Sequence, residues 1–358
     1  MENSIEKLQT ILQKDPSNFQ ARRELAILLA QNGFNEEALI NFQYLIKYFE
    51  EDAELHYNLG ILHEKLKDFK KAQKAYQRAI DLSPQEDFYY NLGEVLVSLE
   101  NWDDAIEAFN TVLKTDPKDV NCYFNLGLCY YNKDEINLAT DNFQQAINLN
   151  PNDVFAHFYL GNIYQNNGLT NFAIESYKKV LEITPDYSWA YFNLASISYK
   201  NENIEEAKDY LIKTIECNNQ DIEAYKLLAK IYVRENEHED IITLLETRLE
   251  KEENGDLYYI LAQIYKQIAQ KDSYEHNLKK AIENKLTLTY PIEIVKKELF
   301  SIQSQNGLNA KEVEEYNSED IDVATDYDAE DESDFNEDEE ESYNFEDEDN
   351  YEYDEEEE

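Results

Sequence analysis

Between Val120 and Pro151 the apolar residues fall on helical spacing twice. Tyr123, Leu126, Gly127 and Tyr130 lie at i, i+3, i+4 and i+7, on one face of a helix. After a short polar turn, Ala139, Phe143, Ala146 and Ile147 build a second such face, and Pro151 stops that helix. Neither predicted helix has polar cover for its apolar stripe, so the pair cannot stand alone. The chain answers by writing the same pattern again on both sides.

The small residue of each first helix marks the period. It is Ala26, Gly60, Gly93, Gly127, Gly161, Ala195, Ala229 and Ala262, in steps of 33 or 34 residues, and Leu precedes it every time. Twelve residues beyond the anchor stand Ala38, Ala72, Ala105, Ala139, Ala173 and Ala207; four further on come Phe42, Tyr76, Phe109, Phe143, Tyr177 and Leu211. Pro84, Pro117, Pro151 and Pro185 close four of the units. Small residues let two helices approach closely, and the aromatics fill the gap to the next unit. A fixed period near 34 with this set of positions resembles the tetratricopeptide repeat family, over Phe19 to Asn284 in eight consecutive copies.

That resemblance implies an all-α fold, a right-handed superhelical solenoid of antiparallel helix pairs in which each unit buries its stripe against its neighbours. The units are expected at 19–52, 53–85, 86–119, 120–153, 154–187, 188–221, 222–254 and 255–286. Residues 1–18 are expected to form an N-terminal capping helix with Ile5, Leu8, Ile11 and Leu12 as its stripe. A C-terminal capping helix is expected within 287–307, opened by Pro291 and closed by Gly307, with Ile294, Val295, Leu299 and Ile302 on one side. Repeats two to five are the most regular. In repeat seven Ile241 replaces the small residue and Arg248 stands where Ala, Val or Thr occurs elsewhere, which predicts a looser pair; Tyr274 is a similar departure in repeat eight.

Charge changes the picture at one end. The formal net charge is −45. From Glu312 to Glu358 there are 27 Asp and Glu and no Lys or Arg, leaving 50 acids against 32 bases in the rest. Like charges this dense repel one another and offer little aliphatic surface, so 308–358 is expected to be a disordered acidic tail. Tyr316, Tyr327, Phe335, Tyr343, Phe345, Tyr351 and Tyr353 punctuate it, a pattern suited to transient contact with a basic, partly apolar partner or to keeping the protein soluble.

Three features are candidates for function. In the family the chain resembles, first helices line a concave groove that receives a peptide or another protein. An aromatic column lies three residues before the anchors, at Tyr57, Tyr90, Phe124, Phe158, Phe192 and Tyr259, and presents flat apolar faces with little ordering cost. Beside it runs an amide series, Asn58, Asn91, Asn125 and Asn193, broken by Tyr159. An amide carries donor and acceptor, so it can pair with any peptide bond or bridge neighbouring helices. The third is a basic patch, Lys226, Lys230 and Arg234 on one helix with Lys200 and Lys266 beside it, suited to an acidic peptide, the protein's own tail included. The positions do not match the carboxylate clamp of some family members, because Tyr or Phe fills its Lys slot from Tyr57 to Phe192 and Ile260 replaces an Asn.

Other chemistry finds no support. His56 and His157 occupy a column otherwise rich in Tyr and read as packing residues; His56 and His63 share a face but have no third ligand at suitable spacing. There is no phosphate loop or nucleophile elbow, and eight Gly in all leave little room for strained catalytic turns. No enzyme, cofactor or metal is expected, and the acidic balance argues against nucleic acid. Cys122, Cys129 and Cys217 suit buried thiols in a reducing compartment. The start MENSIEKLQTILQKDP predicts no signal peptide, and no stretch approaches 18 apolar residues, so a cytoplasmic, non-membrane protein is expected. The expected role is a scaffold that grips an extended segment of a partner protein; the alternative is masking of a basic protein by the tail, with or without the tail closing the groove.

Overall fold

The computed structural model describes residues 2–305. The predicted tail 308–358 and the helix stop at Gly307 lie outside the described residues. Among those described, the chain is helical throughout, with no strand. The helices fall into two compact units, the first Met1–Ala190 and the second beginning at Tyr191.

In the first unit α1 (Glu2–Lys14) packs on α2 (Phe19–Gln31), which pairs with α3 (Asn35–Ile46). Four further pairs follow: α4 (Ala53–Lys65) with α5 (Phe69–Leu82), α6 (Glu86–Ser98) with α7 (Trp102–Thr115), α8 (Val120–Asn132) with α9 (Ile136–Leu149), and α10 (Val154–Asn166) with α11 (Thr170–Ile183). α3, α5, α7 and α9 also pack on the next first helix, and first helices touch one another, α4 with α6 and α6 with α8. The first helices therefore form a layer of their own.

Turn chemistry makes the hairpins. Seven residues past each anchor the backbone enters the left-handed region, at Gly33, Lys67, Glu100, Asp134 and Gly168 here and at Glu202, Asn236 and Ala269 in the second unit. This caps the first helix and reverses the chain. The next first helix starts at a side-chain cap: Asp52, Asp119 and Asp153 accept from the backbone N–H of Leu55, Cys122 and Ala156.

The anchor and the residue sixteen further on set the width of each pair. A Cβ at Gly60, Gly93, Gly127 or Gly161 would lie 2.4, 2.6, 2.6 or 2.6 Å from the ring of Tyr76, Phe109, Phe143 or Tyr177. Those four rings are fully buried. Where the anchor is Ala195, Ala229 or Ala262, the partner is the smaller Leu211, Leu245 or Leu278, so the summed volume is conserved along the chain. Phe42 opposite Ala26 is the exception.

The stripe of α1 needs one correction. Ile5, Leu8 and Leu12 pack against the core, but Ile11 is 42% exposed, because it sits one residue off the face that meets α2.

The second unit takes in most of α12 (Ser188–Lys200), followed by α13 (Ile204–Cys217), α14 (Ile222–Arg234), α15 (His238–Leu249), α16 (Gly255–Gln267), α17 (Lys271–Glu283), a 3-10 turn at Lys285–Thr287, and α18 (Ile292–Gln305). In repeat seven α14 and α15 form a looser pair than those of repeats two to five, with the large Ile241 at the small-residue position, whereas in repeat eight α16 and α17 pack as closely as those pairs despite Tyr274. Ile241 and Leu245 are nevertheless buried, and so is Arg248. Its guanidinium donates to the carbonyls of Asn219 and Glu252 and, at 2.8 Å, to the Glu252 carboxylate.

α18 caps this unit. Val295, Leu299 and Ile302 enter the core, whereas Ile294 is half exposed, again one residue off the stripe. Tyr274, at the small-residue position of repeat eight, is buried and donates to the Glu298 carboxylate, which also accepts from Tyr259 at 3.1 Å and Gln263 at 2.9 Å. The preceding segment is held by buried Asp256, which accepts from the Thr289 backbone at 2.7 Å. No described helix is long and apolar enough to cross a membrane.

Candidate partner-binding face

Each first helix of the first unit buries one face and leaves the other open. In α10, Ala156, Leu160, Gly161 and Ile163 are buried while Phe155 and Asn166 are exposed; in α8 the same positions bury Cys122, Leu126, Gly127 and Cys129 and expose Asn121 and Asn132.

The aromatic column lies at the edge of this open face and is partly consumed by packing between repeats. The Tyr57 ring stacks on Phe88 at 4.5 Å and lies 5.7 Å from Tyr76. Tyr90 lies 5.9 Å from Phe109. Phe124 stands among Phe143, Phe155 and Tyr159 at 5.7, 6.1 and 6.0 Å. Tyr57, Tyr90 and Phe124 are half-buried, and Phe158 is buried. In the second unit Phe192 packs against the core and Tyr259 is buried, 4.3 Å from Tyr290.

The amide series makes bonds within the fold. Asn58 donates to the Glu54 carbonyl at 2.7 Å, Asn91 to the Tyr57 hydroxyl at 2.9 Å, and Asn125 to the Tyr90 hydroxyl at 3.4 Å. The last two tie one first helix to the next, the bridging use of the amide. Asn58 and Asn125 keep a carbonyl oxygen and one N–H for another partner, whereas the Asn91 amide also meets the Tyr76 hydroxyl. Asn193 is half-buried in the second unit.

Carboxylates join the open face around α4 and α6. Tyr90 donates to Glu94 at 3.0 Å and Tyr76 to Glu64 at 2.8 Å. Burial, and then the nearby Glu64 charge, push the Glu94 carboxyl above its usual range despite the Tyr90 bond.

Two residues central to this face lie one helical turn before the column. Phe155 is 56% and Trp189 59% exposed. They belong to one aromatic ridge: Phe155 is 6.1 Å from Phe124 and 6.5 Å from Tyr187, and Trp189 is 6.3 Å from Tyr187 and 6.1 Å from Phe158. Sequence reading passed them over. Their signal is a break in polarity down one column, where Glu54, Asp87 and Asn121 give way to Phe155 and Trp189.

The five bases of the second unit do not form one uniform patch. Lys226 pairs with Glu223 at 2.8 Å and lies 4.6 Å over the Tyr290 ring; Lys266 faces Glu298 at 3.9 Å. Lys200, Lys230 and Arg234 are exposed, with Lys230 5.9 Å from the Tyr199 ring and Arg234 beside its hydroxyl.

Two of the histidines hold the turns before their helices. His56 and His157 meet the carbonyls of Glu50 and Pro151 at 2.9 and 3.0 Å, as the hydroxyl of Tyr123 meets that of Pro117. Among the described residues, no group of three or more His, Cys, Asp or Glu could hold a metal ion.

Family models agree with this architecture. Models described as tetratricopeptide repeat match residues 53–86 and 120–153, 142–174 and 167–231, and a TPR repeat model matches 93–134. The chain is a tetratricopeptide repeat protein. Among characterised proteins, tetratricopeptide repeat protein 6 of Homo sapiens is 31% identical over 105 residues, 29% of this chain. The chain thus spans a fifth, 20%, of that relative's length. Among solved structures, MamA 41-end from Desulfovibrio magneticus RS-1 is 24% identical over 48% of this chain and 97% of its own, with a TM-score of 0.46. YrrB, described as a TPR protein with an unusual peptide-binding site, is 27% identical over 51% of this chain and 95% of its own, with a TM-score of 0.43. Proteins of this repeat class serve as interaction scaffolds.

Proposed function

We propose that this chain is a non-enzymatic scaffold whose first unit holds an extended segment of a partner protein along the open face of α4, α6, α8, α10 and the start of α12. The observation that carries this is the aromatic ridge, Phe155 and Trp189 exposed on a bed of Phe124, Phe158 and Tyr187. Large exposed rings held by rings beneath them lose little entropy on binding and suit apolar side chains of a ligand. The half-free amides of Asn58 and Asn125, and the carbonyl oxygen of Asn91, would pair with its peptide bonds. Phe192 would present its ring in the same way on its own unit, with Asn193 beside it. The compartment is the cytoplasm, where the buried Cys122 and Cys129 persist as thiols. Masking of a basic protein by residues 312–358 is the second reading, and it rests on their composition alone.

Selection of random peptides displayed on phage by the full chain tests the first reading. Enriched peptides should lose about tenfold or more in affinity for Phe155→Ala/Trp189→Ala, as expected of two aromatic anchors. They should bind Phe172→Ala unchanged, because Phe172 is equally exposed but lies on a second helix. Failure of the full chain to enrich any peptide, or equal loss from Phe172→Ala, overturns it.

A further inference from the structure

The chain carries more than two acids for every base, 77 against 32. In the second unit Lys208, Lys213, Lys226 and Lys266 each face a carboxylate. Lys200, Lys230 and Arg234 of the same unit do not. Among the described residues, Lys200 at the end of α12 and Lys230 and Arg234 on α14 form no ion pair. Lys230 and Arg234 lie beside Tyr199, and the acids felt by Arg234 are Glu202 and Glu235, both solvent-exposed. Two unpaired cations beside one aromatic ring, with the exposed Lys200 next to that ring in sequence, make a surface that attracts acidic chain and can stack an aromatic side chain.

We infer that this surface is occupied by the chain's own C-terminal segment, within residues 312–358. Charge is one argument, since that segment holds 27 carboxylates and no base, with seven aromatics among residues 316–353. Reach is the other. α18 ends at Gln305 on the cap of this unit, packed on α17 and bonded to α16 through Glu298, and α16 packs on α14. Neighbouring helix axes stand about 8–10 Å apart. Two such layers equal roughly six residues of extended chain at about 3.3 Å each, so the chain between Gln305 and Glu312 is long enough to span them. A tethered ligand of this length acts at an effective concentration on the order of mM. An acidic partner must therefore displace the segment rather than find the surface empty. The inference uses other residues than the peptide-binding reading and stands or falls separately.

Zero-length carbodiimide crosslinking of the full chain, read by mass spectrometry, tests it, with the Lys213–Glu216 pair at 2.6 Å as internal standard. Lys200 and Lys230 should link to carboxylates of 312–358, and exposed Lys251 should do so far less. Yield relative to the standard should fall about tenfold between 50 mM and 500 mM NaCl, as expected for exposed charges at a Debye length of a few ångströms. Arg234→Glu, a surface change, should lower the Lys230 links to a similar extent. In an equal mixture of natural-isotope and 15N-labelled chains, the links should stay within one isotope. Links no more frequent at Lys200 and Lys230 than at Lys251, links insensitive to Arg234→Glu, or mixed-isotope links from a second copy overturn the proposal.

Discussion

Gly127→Ala probes the spacing rule on which the whole stack depends. A Cβ at Gly127 would lie 2.6 Å from both Cδ1 and Cε1 of Phe143, where carbon atoms pack best at about 3.5–4.0 Å. Phe143 is 0% exposed and cannot swing aside. Relieving an overlap near 1 Å in a filled core costs about 1–3 kcal/mol. Alanine recovers about 1 kcal/mol of helix propensity over glycine, so the net loss should be about 1 kcal/mol. Phe143→Leu alone leaves a cavity and also destabilises. The Gly127→Ala/Phe143→Leu double variant, however, recreates the pairing already used at Ala195 and Leu211. It should therefore lose at least about 1 kcal/mol less than the two single losses summed. Urea denaturation of the four full-length proteins, followed by circular dichroism, measures the cycle. A Gly127→Ala protein at least as stable as the parent, or strictly additive losses, would refute the reasoning.

Three other outcomes follow from the same structure. Ala269 sits at φ 57°, a region that costs an L-residue about 1 kcal/mol; Ala269→Gly should raise the urea midpoint, and a lower midpoint contradicts the turn assignment. Glu94→Gln should stabilise at pH 7 and change nothing below pH 4: burial raises the folded carboxyl's pKa, so its ionisation opposes folding only above the unfolded value and fully above the folded one. Equal effects at both pH values would sink that account. Burial pushes the Cys129 thiol up to about 12 and raises that of Cys122 as well, so maleimide should leave both unmodified in the native state at pH 7.

The parts legible in the sequence are those set by short-range spacing. Leu–Gly anchors at 33 or 34 residues with an aromatic sixteen further on leave one arrangement of helices, because the ring has no other gap to enter. The stripe edges were less legible: Ile11 and Ile294 are apolar and adjacent to true core positions, but a turn of 3.6 residues places each just outside. The open face was legible by column and misjudged by degree. Phe124 and Phe158 share a column with Tyr57, yet how much of each ring stays accessible depends on residues 29 to 31 further along, Phe155, Tyr187 and Trp189. The amides behave alike, since the partners of Asn91 and Asn125 are tyrosines of the preceding repeat. Burial of Arg248 depends on two carbonyls and a carboxylate that only the folded loops bring together.

Amide hydrogen exchange on the full chain, with and without a peptide selected as above, bears most directly on the claim that the first helices receive the partner. Binding should slow exchange in α6, α8 and α10 and leave α7, α9 and α11 unchanged. Protection confined to the second helices, or none in the first unit at saturating peptide, would contradict the account.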